Sequence, residues 1–417
     1  MRQYILTLIC AFVLSPFAYS QDHSEERQKH ETTTTEEQQE AGCGDHKKEA
    51  FNPGATAFHH ISDQNIYNIG PWSIPLPCIL YNAAQGWSLF SSGKFHIGEH
   101  GNGHTAIDHY ILVEGVVRRV TDASFPMGEV EIGHHPVFEK VKQDDGKLKE
   151  TAFVCYNDQL YPSDAKSTAD GGLFGGGVTS FYDFSLTKNV VTMMLMFAFL
   201  TWMFITVAKA YKTRDGMAPK GMQSFIEPIF LFIQDEVAKP FLGNKWEKYL
   251  PFLMAQFFFI LGLNLFGQIP FLGGSNVTGN IAVTMVLAVI TFFVVNLSSN
   301  KNYWEHILWM PGVPAWVKTI LTPVEVLGLF IKPVTLTLRL FANITAGHMV
   351  IVIFVGLIFL FGKSGESVGA SYGTAAGSTL LTMFMMAIEL LVAFIQAFVF
   401  AILTASYIGA ATEEAHH

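Results

Sequence analysis

Beyond Cys155 the chain has no cysteine, and its second half carries little charge. The missing thiols exclude a thiolate metal centre or a disulfide framework from that half. A basic excess is missing too: 26 Lys and Arg stand against 35 Asp and Glu, a formal net charge of -9, which argues against nucleic acid as a partner. Neither HExxH nor GxSxG occurs inside the long apolar runs, so those runs hold no helix-borne zinc motif and no nucleophile elbow. What is present is hydrophobic. Half of the 417 residues are apolar and the mean hydropathy is +0.31, the balance of a membrane protein with a sizeable water-facing part.

The composition changes near Lys188. Most of the charge, eleven of the fifteen histidines and all four cysteines lie before it. Residues 1–20 read as a signal peptide: Arg2, an apolar core from Tyr4 to Leu14, then Ala18-Tyr19-Ser20 at the cleavage site; a signal anchor is the alternative, and either one exports the residues after it. Residues 21–50 are polar and biased to Glu, Gln, Thr and Lys, which predicts a disordered arm. Residues 51–186 hold aromatics, Gly and Pro breakers and short alternating runs such as Tyr110 to Val117, the pattern of a small mixed extracytoplasmic domain with strands. In an oxidising compartment Cys78 and Cys155 are candidates to pair, leaving Cys43 alone once Cys10 departs with the signal; free thiols are the other reading. His96, His100, His104 and His109 have a metal-ligand spacing, but their Gly-rich setting and the lack of a second cluster favour solvated surface histidines.

Residues 187–417 are predicted to form the membrane domain, with spans near 187–210, 249–272, 277–298, 323–362 and 374–411. The expected fold is an all-α polytopic membrane protein of five transmembrane helices. The last two, at about 1.5 Å per residue, reach roughly 55–60 Å and must tilt steeply, kink or emerge from a hydrocarbon core of about 30 Å. Pro333 can break the first of them, whereas the second has no proline and should tilt. Met222 to Phe241 alternates at helical spacing and reads as an interfacial amphipathic helix, or as a helix in a soluble loop. Basic residues crowd the segment after the first span, from Lys209 to Lys248, and are absent from Gly273 to Gly279. This makes the basic side cytoplasmic, the N-terminal domain periplasmic and the C-terminus cytoplasmic, in a bacterial inner membrane.

Polar residues inside these spans are few enough to be candidates one by one. Arg339 is the only Lys, Arg, Asp or Glu between Pro333 and Gly362, a fixed cation at membrane depth. In the last span only Glu389 and Gln396 are strongly polar. They stand two helical turns apart on one face, about 10 Å along the axis. Folding the last two spans as an antiparallel hairpin sets Arg339 level with Gln396, His348 level with Glu389, and Glu325 near Glu413 and Glu414. Three polar levels across a membrane suggest an ion path. Ala393, Ala397, Ala401, Ala405 and Gly409 continue the Glu389 line as a small-residue stripe, open to another subunit or to the preceding helix. The bland alternatives are a structural Arg339–Glu389 pair and a helix-start role for Glu325 after Thr322-Pro323. A metal transporter with a histidine capture domain is a further possibility, but it requires imidazole or thiolate ligands within the spans, where His348 stands alone. A membrane-embedded enzyme would need a nucleophile beside Glu389.

The segment from Lys332 to His348 (KPVTLTLRLFANITAGH), with Glu389-LLVAFI-Gln396 downstream and Leu250 to Pro270 before it, resembles the a subunit of the rotary F-type ATP synthase over roughly residues 226–412. His59-His60-Ile61-Ser62-Asp63 is similar to a short histidine-containing stretch near that family's N-terminus. The resemblance implies a non-catalytic stator of the proton channel that works without a cofactor or metal. Its implied partners are the c-subunit ring, the b-subunit peripheral stalk, the other ATP synthase subunits and the lipid bilayer. It assigns Arg339 to the arginine facing the ring carboxylates, with Asn343 one turn on and Gln396 beside it. His348 and Glu389 occupy two positions that hold Glu and His in several bacterial members, exchanged here as is typical of mitochondrial ones. Glu325 matches an acidic position on the cytoplasmic side and Asn264 a polar position on the preceding hairpin. Some relatives carry an acid three residues after that asparagine, where this chain has Gly267 followed by Gln268. The carried ion is expected to be the proton rather than sodium.

Overall fold

The computed structural model describes Cys43 and residues 62–69, 72–98, 101–133, 137–142, 148–173, 178–269, 275–310, 313–361 and 368–413. The chain divides into two units, Met1–Asp45 and His46–His417, and all of the described strands and helices belong to the second. The expected signal peptide, and the polar arm apart from Cys43, lie outside the described residues, as do His59, His60, His100 and Glu414.

The first half is built from short antiparallel strands. Ile66–Ile69 pairs with Trp72–Pro75 as a hairpin, and Tyr182–Asp183, Pro77–Asn82 and Gly86–Ser91 form a three-stranded sheet in that order. A four-stranded sheet runs Val116–Arg119, Tyr110–Val113, Thr105–Ile107, Glu129–Glu131, and another three-stranded sheet runs Gln159–Pro162, Leu148–Tyr156, Val137–Lys142. The apolar run from Tyr110 to Val117, predicted as one strand, is a hairpin. Glu114 and Gly115 turn it with φ of 52° and 78°, the doubly positive signature of a tight two-residue loop. Strand alternation then explains why this domain has two cores. Tyr110 and Leu112 point into one with Cys78, Leu80, Phe95 and Phe181, while Ile111 and Val113 point into the other with Phe125, Val154 and Tyr161.

That division overturns the expected Cys78–Cys155 pair. Cys78 is a free thiol, fully buried in the first core, whereas Cys155 sits on the middle strand of the sheet that builds the second. Cys155 is disulfide-bonded and so has no thiol to offer Cys78. Burial, reinforced by the nearby Asp183 carboxylate, pushes the Cys78 thiol up to about 12.

Five helical stretches are long and apolar enough to cross a membrane: Lys188–Thr213, Met222–Gly267, Ile281–Ser298, Trp316–Phe361 and Tyr372–Thr412. The helices from Lys188 onward are α1 (Lys188–Thr213), α2 (Met222–Ile233), α3 (Lys239–Leu242), α4 (Trp246–Gly267), α5 (Ile281–Ser298), α6 (Lys301–Leu308, between two of the stretches), α7 (Ala315–Phe361) and α8 (Val368–Thr412). A π-helical segment, Gln234–Ala238, joins α2 to α3. The apolar face of this stretch is committed to the bundle. Ile226, Ile233, Val237 and Leu242 belong to its core, and Phe232 packs on Phe398 at 5.3 Å between centroids. The proline in the first long helix does not break it. Helix α7 begins before the predicted 323 and continues through Pro323 and Pro333, and the Thr337 hydroxyl donates to the Pro333 carbonyl at 2.9 Å. At 47 residues α7 extends about 70 Å, more than twice a hydrocarbon core.

The small-residue stripe of α8 faces neither another subunit nor α7 alone. Ala393 is wholly buried, Ala397, Ala401 and Ala405 are wholly buried in the core shared with α4, and a Cβ on Gly409 would strike the Phe241 carbonyl of α3. Helix ends are closed by other elements. The last carbonyls of α8 are capped by Asn300, whose N–H donates to Ala411 and whose Nδ2 donates to Thr412, each at 2.9 Å; Lys245 Nζ reaches Thr412 at 2.8 Å. The start of α1 is capped from the strand domain. Lys188 N–H donates to the Gln64 carbonyl at 2.8 Å, and Asp63 accepts from Asn189 N–H at 3.2 Å and from the Thr187 hydroxyl at 2.8 Å.

These placements lead to two expected outcomes. A maleimide at pH 8 should leave Cys78 unmodified in the folded chain and modify it on denaturation; rapid labelling of the native protein would contradict its burial as a neutral thiol. Replacing Asp63 with Ala should speed amide exchange at Lys188 and Asn189 by about five- to thirtyfold, the equivalent of a cap worth about 1–2 kcal/mol. Unchanged exchange in that variant would remove Asp63 as the cap.

Candidate functional site

The predicted middle level of the helix hairpin is present. His348 Nε2 on α7 stands 3.8 Å from Glu389 Oε1 on α8, beyond hydrogen-bond length but within ion-pair range. Only 4 % of Glu389 is exposed, and its Oε1 accepts no hydrogen bond. A buried carboxyl oxygen without a donor is costly in an apolar bundle, which makes Glu389 a candidate functional group. The close approach depends on a glycine. A Cβ on Gly347 would lie 2.7 Å from Glu389 Oε1, so the carboxyl fits only where α7 has no side chain.

The second wall is α4, where Asn264 is followed by Gly267 and Gln268. Gln268 Nε2 donates to the Glu389 main-chain carbonyl at 2.9 Å. Gly267 lets a loop close in, since a Cβ there would meet the Ser275 carbonyl at 2.8 Å and His348 Nε2 at 3.7 Å. Asn264, also buried, donates through Nδ2 to the Ala393 carbonyl at 3.3 Å and accepts from the Thr278 hydroxyl at 2.7 Å. Thus Asn264, Gln268, His348 and Glu389 come together at the junction of α4, α7 and α8.

Sequence spacing missed how this junction continues toward the strand domain. Thr192 on α1 donates to Ser275 Oγ at 2.9 Å, and Thr192, Ser275, Asn276 and Thr278 are all buried. Lys188, only 4 % exposed, lies within electrostatic reach of both His348 and Asp63. A buried polar seam therefore leads from Asp63, at the edge of the strand domain, to the imidazole–carboxylate pair. The one available sequence signal was the His59–Asp63 stretch, and it indicated no partner across the 124 residues that separate Asp63 from Thr187.

The other two levels are arranged differently. Gln396 is buried in the hairpin, while Arg339 and Asn343 are exposed along the outer side of α7. Among the described residues Arg339 takes no hydrogen-bond or carboxylate partner, so it is neither bonded to Gln396 nor paired with Glu389. The Arg339 charge is within electrostatic reach of the Tyr407 hydroxyl. Glu325 is half-buried and Glu413 exposed, and both border α6: the Glu325 carboxylate acts on Tyr303, and the Glu413 carbonyl lies 3.5 Å from Asn300 Nδ2. Burial, with Glu325 adding to it, holds the Tyr303 hydroxyl above its ordinary range. Between these ends a cavity of about 20 Å³, room for one water molecule, is lined by Asn296, Tyr303, Lys332 and Tyr407 among others. The described histidines of the strand domain have separate partners: His96 Nδ1 is 2.8 Å from Thr105 Oγ1 and His109 packs edge-on against Phe125. Among the described residues no three His, Cys, Asp or Glu side chains are grouped to hold a metal.

Five apolar helical stretches and a buried carboxyl beside an imidazole define a multi-pass membrane protein with an ionisable interior. Residues 190–409 match the family described as ATP synthase A chain, and residues 56–141 match a family described as Domain of unknown function (DUF8433). ATP synthase subunit a of Chloroherpeton thalassium is 40 % identical over 242 residues, covering 57 % of this chain and 69 % of that protein. ATP synthase subunit a 2 of Prosthecochloris aestuarii is 40 % identical over 243 residues, 57 % and 71 % of the two chains. The Myxococcus xanthus subunit a is 38 % identical over 259 residues, 60 % and 81 %. The chain belongs to the ATP synthase A chain family: a proton-translocating membrane subunit that is not itself catalytic.

Gly347→Ala tests the junction directly. The added methyl must displace the Glu389 carboxyl or part α7 from α8, an overpacking cost of about 1–3 kcal/mol. Proton conduction through the assembled membrane sector should fall about tenfold or more, the effect of about 1.4 kcal/mol on a barrier. Conduction at the unsubstituted rate would show that the carboxyl position is not critical.

Proposed function

We propose that this chain is the stator half of the ATP synthase proton channel, passing protons to and from the carboxylates of a rotating c-subunit ring through two offset half-channels. The observation that carries the reading is the contrast between His348–Glu389, buried at the end of a polar seam, and Arg339, exposed on the open flank of α7. Protons reach the ring by way of the His348–Glu389 relay, because an imidazole nitrogen 3.8 Å from a carboxyl oxygen offers two proton-holding groups in succession. Asn264 and Gln396 line that half of the path. The second half leaves past Glu325 and Glu413, with the small cavity beside Tyr303 and Tyr407 between them and the membrane centre.

Arg339 separates the halves. A guanidinium cannot shed its proton, so in low dielectric it repels an approaching proton and draws a ring carboxylate into its charged form. Asn343, one turn along the same exposed side, faces the ring with it. Protons therefore travel with the ring for most of a revolution, which turns the gradient into torque. The b-subunit peripheral stalk holds the stator against that torque. Basic residues between α1 and α4 place that side in the cytoplasm, with the strand domain periplasmic, residues 1–20 as its signal peptide and the C-terminus cytoplasmic.

Arg339→Ala is the decisive variant, studied in inverted vesicles before and after the catalytic head is stripped off. ATP-driven acidification should fall about tenfold or more while passive leak rises, with assembly intact. Acidification at the unsubstituted level would refute the role.

A further inference from the structure

One face of the strand domain is apolar and has no cover among the described residues. In Pro77–Asn82, alternation turns Cys78, Leu80 and Asn82 inward, so Ile79 and Tyr81 face outward. Strand register sets Trp87 and Tyr182 on either side of Tyr81 and sets Leu89 opposite Ile79; Phe184 comes next, its N–H bonded to the Ile79 carbonyl at 2.9 Å. The rings form a continuous sheet surface: Tyr81–Trp87 at 5.0 Å, Trp87–Phe184 at 5.6 Å and Tyr81–Tyr182 at 6.2 Å between centroids. Trp87 is 65 % exposed and Leu89 75 %, and the strand positions of this face hold no Lys, Arg, Asp or Glu. The neighbouring hairpin adds Trp72, 72 % exposed, with Ile74 on the same side.

Both apolar sets are moored to the start of a spanning helix. Four residues, at most about 14 Å when extended, lead from Phe184 to Lys188, where α1 begins. The hairpin starts two residues after Gln64, whose carbonyl takes the Lys188 N–H. Helix α1 turns Met194, Leu195 and Phe197 outward within three turns of that point, so lipid contact begins close by. Trp and Tyr carry an apolar ring with one polar atom, the chemistry enriched in the headgroup layer. Left in water, such a patch is an aggregation liability.

We propose that the Tyr81–Trp87–Leu89–Tyr182–Phe184 face is a lipid-docking surface that rests in the headgroup layer beside α1. Docking would hold Asp63 over the α1 start and steady the upper end of the polar seam. The proposal depends on α1 spanning the membrane and not on the route of protons through it.

The full chain carrying Leu89→Cys is spin-labelled and reconstituted into phosphatidylethanolamine–phosphatidylglycerol vesicles, and collisions with oxygen are compared with collisions with a water-soluble nickel chelate. Ser91→Cys gives a second position on the same face. Phe197→Cys on α1 and Ala123→Cys on an exposed loop are the lipid and water references. Cys78 is buried and Cys155 is disulfide-bonded, so the unsubstituted chain, treated alike, sets the background. The expected result is an excess of oxygen over nickel collisions at Leu89, as at Phe197, with Ser91 intermediate. A nickel preference like that at Ala123 overturns the proposal. A label at Leu89 shielded from both reagents also overturns it, by making the face a protein contact.

Discussion

A carboxyl group that must stay dry and yet remain reachable constrains the membrane half of this protein. Glu389 sits where water is scarce, so every neighbour either avoids its Oε1 or satisfies the backbone around it. Gly347 avoids it by having no side chain, and Gln268 satisfies the Glu389 carbonyl. The buried alanines of α8 bring that helix close enough to α4 for Asn264 to reach the Ala393 carbonyl. Without that close packing the polar atoms would be too far apart to satisfy one another, and burying the carboxyl would be only a penalty.

The same economy governs the helix ends. An apolar helix that emerges from a bilayer still has orphan backbone groups, and both spans that border the seam have theirs closed by distant parts of the chain. Asp63 closes the start of α1, and Asn300 with Lys245 closes the end of α8. A capping carboxylate at a helix start and an ammonium at a helix end both agree with the helix dipole. These contacts make the strand domain and the α5–α6 turn part of the frame that sets the helices, not appendages to it.

How much of this the sequence disclosed depends on the range of the interaction concerned. The five spans and the level of His348 with Glu389 were legible because helical rise and hydrophobic run length are local quantities, and one hairpin turns them into depth. Arg339 was legible as an anomaly of charge, and its placement on the open side of α7 was not, because periodicity gives a face but not what covers it. The Lys188–Asp63 end of the seam was invisible, since Lys188 looks like an ordinary residue at the border of a span and its cap lies more than a hundred positions away. Cysteine pairing failed for a related reason: Cys78 and Cys155 are compatible by count, but Cys78 is enclosed in the first core while alternation turns Cys155 away from the core that Ala152 and Val154 enter. Pro333 misled because a helix with no water to stabilise an open turn keeps the rest of its backbone bonds internal and runs on through a single lost one.

The position of Arg339 separates two accounts of a buried cation. A structural ion pair predicts that the arginine points at Glu389, the only carboxylate within the last span, and that both are buried together. The opposite holds here: the carboxyl is buried with an imidazole, and the guanidinium stands on the exposed side without a carboxylate among the described residues. In hydrocarbon an exposed guanidinium on an isolated helix would be among the costliest side chains to carry, so its position is stable only if something anionic or polar approaches that flank. On the proposed reading the ring carboxylate makes that approach, and the flank of α7 that bears Arg339 is the surface it meets.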